Sequence, residues 1–456
     1  MRLQNSGLIG RMPHFRLRSS PLGLLLIAGA FHVLFALAVF LVGHFELLPN
    51  TIDTHGIGIT FSIDGLSYRG QPIDLAETLR NSGISAWFAA PSPFHCRLYS
   101  LPFAMTGSFL GYNILAAEPL NMLYYLGILS LVYLLGKEIF NPRAALIAAS
   151  IVALWPSLLL HSVQLIRDPL SIFCLLGLLF VATLLLGRDF SWKHGIAIGI
   201  CGVLLTGTFW LARANMWNVV IVMLAITLPL LAIRMVRERR FLIGNLLALV
   251  FLIVAAVFIP SRIESTTLPG IAPATSAFTL SSASQPDSTT DMWSHLIRQI
   301  TRRRSGFKRS YLVNGSNIDA QVSLNNATDI LKYLPRATVI GLFAPFPNMW
   351  LHKAGQAGTA ARILSGFEMS LMYLLYVPMA VCVWQKRRRQ RMWLTFLVAL
   401  TSLMALGLVV VNAGALYRLR YAFWIMLIII AAEGLLNLKS GLTNRKAQEL
   451  RKKVVS

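Results

Sequence analysis

Acidic residues are scarce in this chain: 18 aspartates and glutamates stand against 41 lysines and arginines in 456 residues, which gives a net charge of +23. In a soluble protein such an excess would indicate nucleic-acid binding. Here the basic residues concentrate in short stretches between apolar runs and at both ends of the chain. That distribution is typical of the cytoplasmic loops of a membrane protein, with a secondary attraction to anionic lipid. We therefore expect membrane lipids as partners and no nucleic acid.

Cysteine and the common cofactor motifs are also lacking. Of the 4 cysteines, only Cys96 falls outside the apolar runs, so it has no external partner for a disulfide. The sequence has no Cys-x-x-Cys or His-x-x-x-His pair, no glycine-rich phosphate loop and no Asp-x-Asp pair. These absences argue against a dedicated metal site and against a cytosolic nucleotide as the donor of any transferred group.

Long apolar runs are what the chain has instead, and 56% of its residues are hydrophobic. A helix needs roughly 20 apolar residues to cross the hydrocarbon layer. We predict spans at residues 22–42, 120–135, 144–160, 169–186, 196–211, 219–233, 241–259, 367–384, 392–411 and 423–438. The first is too long for the core of a cleaved signal peptide and is expected to remain as an anchor. The predicted fold class is an all-α polytopic membrane protein of about ten transmembrane helices with two long external loops.

Two dense basic clusters, at residues 234–240 and 386–391, orient these spans. Short loops rich in arginine and lysine stay on the cytoplasmic side. The clusters lie two runs apart, so alternation of the spans places both of them, and both termini, on that side. The orientation given by the basic loops and the orientation given by counting the spans therefore agree. We predict a multi-pass protein of the plasma (inner) membrane whose active site faces outward.

The external loops divide the chain into three parts. Residues 1–259 form a transmembrane module that includes the first external loop, 43–119. Residues 260–366 form an external linker and interfacial segment, in which 261–290 is rich in small and polar residues, 291–307 predicts a basic amphipathic helix, and 337–350 is apolar but broken by proline. Residues 367–456 form a second transmembrane module with a cytoplasmic tail.

Polar and charged residues collect at the outer ends of the predicted spans. They are His161, Arg167, Asp168, Arg213, Arg418 and Arg420. Ionisable groups at membrane depth are costly, so those present tend to line a cavity or a path. With the acids of the first loop they predict a cationic basin suited to a lipid phosphate, because the guanidinium fork matches phosphate oxygens.

Several of these residues have a structural alternative. Asp168 before Pro169 matches the cap and first position of a helix, and Arg167 is able to extend its head toward the interface. Single histidines such as His161 and His95 more often make structural hydrogen bonds than catalyse. Asp64 stands in an Asp-Gly pair that is typical of an ordinary turn.

An ordered set of motifs resembles the C-type integral-membrane glycosyltransferases, in particular the group of protein mannosyltransferases and lipid A aminoarabinose transferases. The set runs from Asp64 and Tyr68 in the first loop, through Asn121 and the Asp168–Pro169 pair, to the segment 417–421, Tyr-Arg-Leu-Arg-Tyr. The resemblance implies transfer of a sugar, with inversion, from a polyprenyl-phosphate carrier to a glycan, lipid or protein acceptor on the outer face of the membrane.

The resemblance also implies residue roles. By position, Asp64 matches the catalytic carboxylate of the first loop and Asp168 the second acid; Gly65 stands where many relatives have another acid, so Asp53 is an alternative base. The substrate-binding candidates are Arg167, Arg213, Arg418, Arg420, Tyr68, His161, His95 and Arg97. No cofactor is expected, although the resemblance permits a divalent metal.

Three other functions compete with this one. A polysaccharide polymerase or ligase also joins lipid-linked glycans with external arginines and histidines. A transporter or flippase of a lipid-linked glycan requires charge along a path through the spans. The predicted spans are nearly free of charge at mid-depth, which favours a one-sided active site. A structural subunit of an envelope assembly would not need the acids of the first loop.

Overall fold

The computed structural model describes residues 20–48, 52–53, 58, 68–265, 292–310, 316–351 and 358–455. Within these ranges the regular structure is helical, and an isolated antiparallel bridge pairs Asn317 with Asn412. The helices are α1 (Pro21–His44), α2 (Gly70–Ala89), α3 (Phe94–Leu110), α4 (Ile114–Ile139), α5 (Pro142–Ala153), α6 (Pro156–Ser162), α7 (Asp168–Leu185), α8 (Trp192–Arg213), α9 (Trp217–Glu238), α10 (Ile243–Ser265), α11 (Met292–Ser310), α12 (Ala327–Phe343), α13 (Gly358–Gln385), α14 (Gln390–Val409), α15 (Ala413–Leu419) and α16 (Tyr421–Val455).

The predicted all-α membrane fold is confirmed for this part of the chain. It contains 8 helices long and apolar enough to cross a membrane, or 9 if the bent pair α5–α6 is one span. One of the 8, Trp192–Glu238, has 47 residues and comprises α8 and α9, joined by a 3-10 turn at Ala214–Met216. That length suffices for two crossings of roughly 20 residues each. Each of the ten predicted spans therefore falls on a helix or on the bent pair.

The third predicted span, 144–160, is broken rather than straight. Helix α5 ends at Ala153, α6 begins at Pro156, and the two axes differ by 64°. Proline has no N–H for the helical hydrogen bond and disfavours helical geometry in the residue before it, here Trp155. The break therefore follows from Pro156, which a count of apolar residues does not distinguish from its neighbours.

The basic loops meet at one end of the bundle. Glu138, in the last turn of α4, binds Arg188 (2.7 Å) and Arg391 (2.9 Å). Arg234 donates to the carbonyl oxygen of Leu185 at the end of α7 (3.0 Å). Arginines thus bind the carboxylates and free carbonyl groups of helix C-termini, where positive charge is favoured. Both basic clusters lie at this end, as the topology prediction requires.

The described parts of the two segments that are predicted to be external contain several helices. The first predicted loop contains α2 and α3, which Arg80 joins by donating to the carbonyl oxygen of Ala104 (2.8 Å). The predicted basic helix is α11, and its Arg304 is buried, donating to the carbonyl oxygens of Leu408 (2.8 Å) and Asp319 (2.7 Å). These helices cover the end of the bundle opposite the basic loops.

The apolar piece 337–350 does not form a span. Its first half is the end of α12, which packs tightly along α14: a Cβ atom on Gly341 would lie 2.1 Å from the carbonyl oxygen of Leu403. The last carbonyl groups of α12, on Leu342 and Phe343, accept hydrogen bonds from Tyr376 (2.6 Å) and Tyr373 (2.7 Å) of α13. Small residues permit such close helix contacts in membranes.

Candidate functional site

The first residue of α7, Asp168, is the centre of the candidate site. It is buried, and its carboxylate accepts a hydrogen bond from Arg213 at the end of α8. Its other oxygen lies 3.4 Å from Nε of Arg418 on α15. Since α7 has 18 residues, about 27 Å of helix separates Asp168 from the basic end of the bundle. The carboxylate thus joins three helix ends, and the capping role that its position before Pro169 predicts is not what it performs.

Arginine is in excess around this carboxylate. Arg167, Arg213 and Arg418 all influence its charge, and Arg213 is itself buried. Nε of Arg167 is enclosed and has no hydrogen-bond partner within the described residues. Like charges repel strongly in a medium of low dielectric constant, and a buried donor without an acceptor is costly. An anion bound here would relieve both.

His161 lies on the same side of the bundle, at the end of α6. Its Nδ1 is 2.6 Å from the carbonyl oxygen of Ser157, one helical turn earlier, so Nδ1 carries the proton and donates. Its ring packs edge-on against Tyr421, with centroids 5.3 Å apart. The imidazole is within electrostatic range of Asp168 and Arg418. His161 therefore belongs to the cluster that surrounds Asp168.

Helix α3 adjoins the cluster. Burial raises the pKa of the Cys96 thiol to about 12, and Arg167 is near enough to oppose that rise. His95, the neighbour of Cys96, packs edge-on against Tyr68 with a centroid distance of 4.4 Å. Both rings are buried. The predicted pair Tyr68 and His95 thus lies together, and the residue next to His95, Cys96, is within electrostatic range of Arg167.

Two other predicted site residues make contacts away from Asp168. Arg97 donates to the carbonyl oxygens of Trp87, Phe88 and Ala90, where α2 ends. Arg420 is fully buried, and its guanidinium stacks over the ring of Trp424 at 3.9 Å. Both have structural contacts of their own, and their substrate-binding roles stay predictions. Asp64 lies outside the described residues.

The sequence interpretation missed Glu368 on α13. Its side chain is fully buried and accepts hydrogen bonds from Nε1 of Trp155 (2.8 Å), the backbone N–H of Ser157 (2.6 Å) and the hydroxyl of Tyr417. The signal was present, because Glu368 is an acid at the start of a predicted apolar span. An ionisable residue within a span has a function or a partner by default.

A second buried network was also missed. His32, in the first span, has Nδ1 2.7 Å from Oε1 of Glu118 and Nε2 2.8 Å from Oγ of Ser162. It stacks on Tyr125 with centroids 4.5 Å apart. The network joins α1, α4 and α6, so the spans hold more ionisable side chains than the sequence interpretation allowed. These groups bond to one another instead of lining an open path.

In the described part of the chain, no group of three or more histidine, cysteine or acidic side chains is arranged to hold a metal ion. Asp168, the buried carboxylate of the cluster, is engaged by arginines. The arrangement is chemically suited to an anion that carries several oxygen acceptors, such as a phosphate group.

Comparison with known proteins gives a fold likeness alone. No protein-family model and no curated protein sequence matches the chain. The archaeal oligosaccharyltransferase AglB from Archaeoglobus fulgidus, solved with an inhibitory peptide and a dolichol-phosphate, has 14% identity and a TM-score of 0.48 over 94% of this chain and 52% of that one. The A. fulgidus oligosaccharyltransferase complex with Zn and sulfate has 16% identity and a TM-score of 0.47 over 95% and 51%.

The chain thus spans about half the length of the solved structures that it resembles. Both structures are of an oligosaccharyltransferase from A. fulgidus.

Proposed function

We propose that this protein is a membrane glycosyltransferase that moves a sugar from a polyprenyl-phosphate carrier to an acceptor hydroxyl on the outer face of the plasma (inner) membrane. One observation supports this above the others: Arg167, Arg213 and Arg418 converge on Asp168 at the end of the bundle opposite the basic loops. By the positive-inside rule that end faces outward. A phosphate at the membrane surface is the ligand that fits such a cluster.

The leaving group of the reaction is the lipid phosphate. As the acceptor oxygen bonds to the anomeric carbon, the bond from that carbon to the phosphate oxygen breaks and its electron pair stays on the phosphate. Fixed guanidinium groups stabilise this growing charge well, because they need no reorganisation and water is largely excluded. We assign this task to Arg167, Arg213 and Arg418. Attack from the opposite face inverts the anomeric configuration.

A base must accept the proton of the acceptor hydroxyl. Our candidate is Asp64 of the first loop, with Asp53 as the alternative. Asp168 is poorly suited, since a carboxylate bound by two arginines is a weak base. Its role in the proposal is to hold Arg213 and Arg418 in place. We assign Tyr68 and His95 to the acceptor side, and His161, within electrostatic range of Asp168 and Arg418, to the side of the phosphate.

Transport of a lipid-linked glycan is the alternative from a different class. It requires polar groups along a crossing path. Within the described spans, the imidazole of His32 is held by close partners, Glu118 and Ser162. This arrangement favours a site at one end of the bundle.

The test is sugar transfer by the purified protein in lipid nanodiscs. Polyprenyl-phosphate sugars are supplied as donors, and release of free polyprenyl phosphate is measured for the wild type, Asp64→Asn, Arg213→Gln and Arg237→Gln. We expect Asp64→Asn and Arg213→Gln to lower turnover at least about a hundredfold. Arg237, exposed at the basic end, is the matched control and is expected to have no effect. Absence of transfer from every donor by the wild type would refute the proposal.

A further inference from the structure

The carboxylate of Glu368 joins two segments that lie far apart in the sequence. Its Oε1 accepts the backbone N–H of Ser157, and its Oε2 accepts Nε1–H of Trp155 and the hydroxyl of Tyr417. Oγ of Ser157 lies 2.7 Å from the Tyr417 hydroxyl, which closes a ring of hydrogen bonds. A buried charge is tolerated only when it is fully hydrogen-bonded, and this one has three donors.

The two segments carry residues of the phosphate cluster. Ser157 is in the first turn of α6, and its carbonyl oxygen accepts the hydrogen bond from His161. Tyr417 is in α15 and directly precedes Arg418, whose Nε is 3.4 Å from Asp168. Glu368 is therefore hydrogen-bonded directly to Ser157, the partner of His161, and to Tyr417, the residue before Arg418.

Neither segment is able to hold its own shape. Helices α6 and α15 have 7 residues each. Isolated helices shorter than about 12–15 residues are marginal in water, so such short ones depend on tertiary contacts. A proline break precedes α6, and α15 is followed directly by α16. Burial raises the pKa of Tyr417 well above its ordinary value, so its hydroxyl stays protonated and continues to donate.

We propose that Glu368 is the positioning residue of the phosphate site: by binding Ser157 and Tyr417 it sets α6 and α15 so that His161 and Arg418 face the lipid phosphate. The inference rests on the proposed function for the identity of the ligand. Glu368 itself does not touch the reacting atoms. It acts through the two short helices that it joins.

The proposal requires a carboxylate rather than an amide. Ser157 N–H and Trp155 Nε1–H donate and cannot accept, and they bind different oxygens of Glu368. Glutamine has one acceptor oxygen and an NH₂ group, so one of these donors would meet another donor. Glu368→Gln therefore keeps the size of the side chain and removes at least one of these hydrogen bonds.

The test compares Glu368→Gln with Glu433→Gln. Glu433 of α16 is also a buried glutamate with polar partners, Asn141 (2.6 Å) and Lys386 (3.2 Å), but at the basic end of the bundle. For each variant in zwitterionic nanodiscs we measure the dissociation constant of polyprenyl phosphate, kcat and KM for sugar transfer, and the unfolding temperature. The binding measurement needs no turnover.

We expect Glu368→Gln to weaken polyprenyl-phosphate binding at least about tenfold and to lower kcat/KM by a similar or larger factor. Glu433→Gln should leave polyprenyl-phosphate binding and kcat/KM within about twofold of the wild type. Its change in unfolding temperature should be comparable to that of Glu368→Gln. Tyr417→Phe removes one hydrogen-bond donor and should weaken polyprenyl-phosphate binding less than Glu368→Gln does. In the double variant the loss of binding should be smaller than the sum of the two single losses, because both substitutions break the same contact.

If Glu368→Gln binds polyprenyl phosphate and turns over as the wild type does, the proposal is wrong. It is also wrong if Glu433→Gln loses as much binding and turnover as Glu368→Gln. Full additivity between Tyr417→Phe and Glu368→Gln would also contradict it. If the wild type transfers no sugar, the proposed function is wrong, and the polyprenyl-phosphate binding of the variants then decides the role of Glu368 by itself.

Discussion

Arg213 donates a hydrogen bond to the carboxylate of Asp168, although 45 residues of chain separate them. Both side chains are almost completely enclosed. The pair joins the start of one span to the end of the next, and with Arg418 it brings three helix ends to one point.

Asp168→Asn should destabilise the protein and abolish activity. Removing one partner of a buried ion pair typically costs about 3–5 kcal/mol, because the other charge stays buried and uncompensated. Here Arg213 and Arg418 would also repel each other. The free energy of unfolding and the rate of sugar transfer measure the two effects.

Asp189→Asn is the control for that substitution. Asp189 pairs with Arg234 at the basic end and is 53% exposed, and Arg234 keeps its bonds to Glu238 and to the carbonyl oxygen of Leu185, so the loss of Asp189 should cost clearly less than the loss of Asp168. A double variant in which both Asp168 and Arg213 are replaced by apolar residues should recover much of the stability and none of the activity. Recovery of activity would contradict a phosphate-binding role for Arg213.

Gly341→Ala should destabilise the contact between α12 and α14. The new Cβ would lie 2.1 Å from the backbone carbonyl oxygen of Leu403, and backbone atoms cannot rotate away. Overpacking of this kind costs about 1–3 kcal/mol. Gly207→Ala, in the transmembrane helix α8, is the matched control, since the nearest atom would be Cδ1 of Ile259 at 3.8 Å. If both variants have similar unfolding temperatures, α12 and α14 do not pack as closely as described.

Acid should loosen the segment around Asp319. A hydrogen bond from Arg336 (2.9 Å) holds the pKa of the Asp319 carboxyl below its ordinary value of 3.8. A lowered pKa in the folded state means that the stabilisation is complete above the unfolded-state value and is lost as the pH falls through the folded-state value.

We therefore expect hydrogen exchange in residues 316–343 to be independent of pH from 7 to about 5 and to accelerate below about pH 4, after correction for the intrinsic rates. Asp319→Asn should remove this acid dependence and exchange at one corrected rate throughout. An unchanged acid response in that variant would place the titrating group elsewhere.

Pro156→Ala should reduce activity more than stability. Without proline, residues 154–156 regain the option of a continuous helix, which would turn Ser157 and His161 away from their partners. We expect kcat/KM for sugar transfer to fall at least about tenfold with a small change in unfolding temperature. Pro142→Ala, at the first position of α5, is the control and should leave kcat/KM unchanged.

The sequence by itself determined the membrane class, the places of the spans and the shared end of the basic loops. These depend on local properties: apolar length, which sets what crosses a bilayer, and the charge of short loops. It also identified Arg167, Asp168, Arg213, Arg418 and His161 as candidates, since polar residues at span ends are conspicuous in so apolar a chain.

Only the tertiary structure decided which of these residues meet. Arg420, two residues after Arg418, stacks on Trp424, whereas Arg418 turns to Asp168, because successive side chains of a helix point in different directions. The partners of Glu368 and His32 could not be predicted for a related reason. A single ionisable residue within an apolar run has no pattern of its own, and its partners come from helices distant in the sequence.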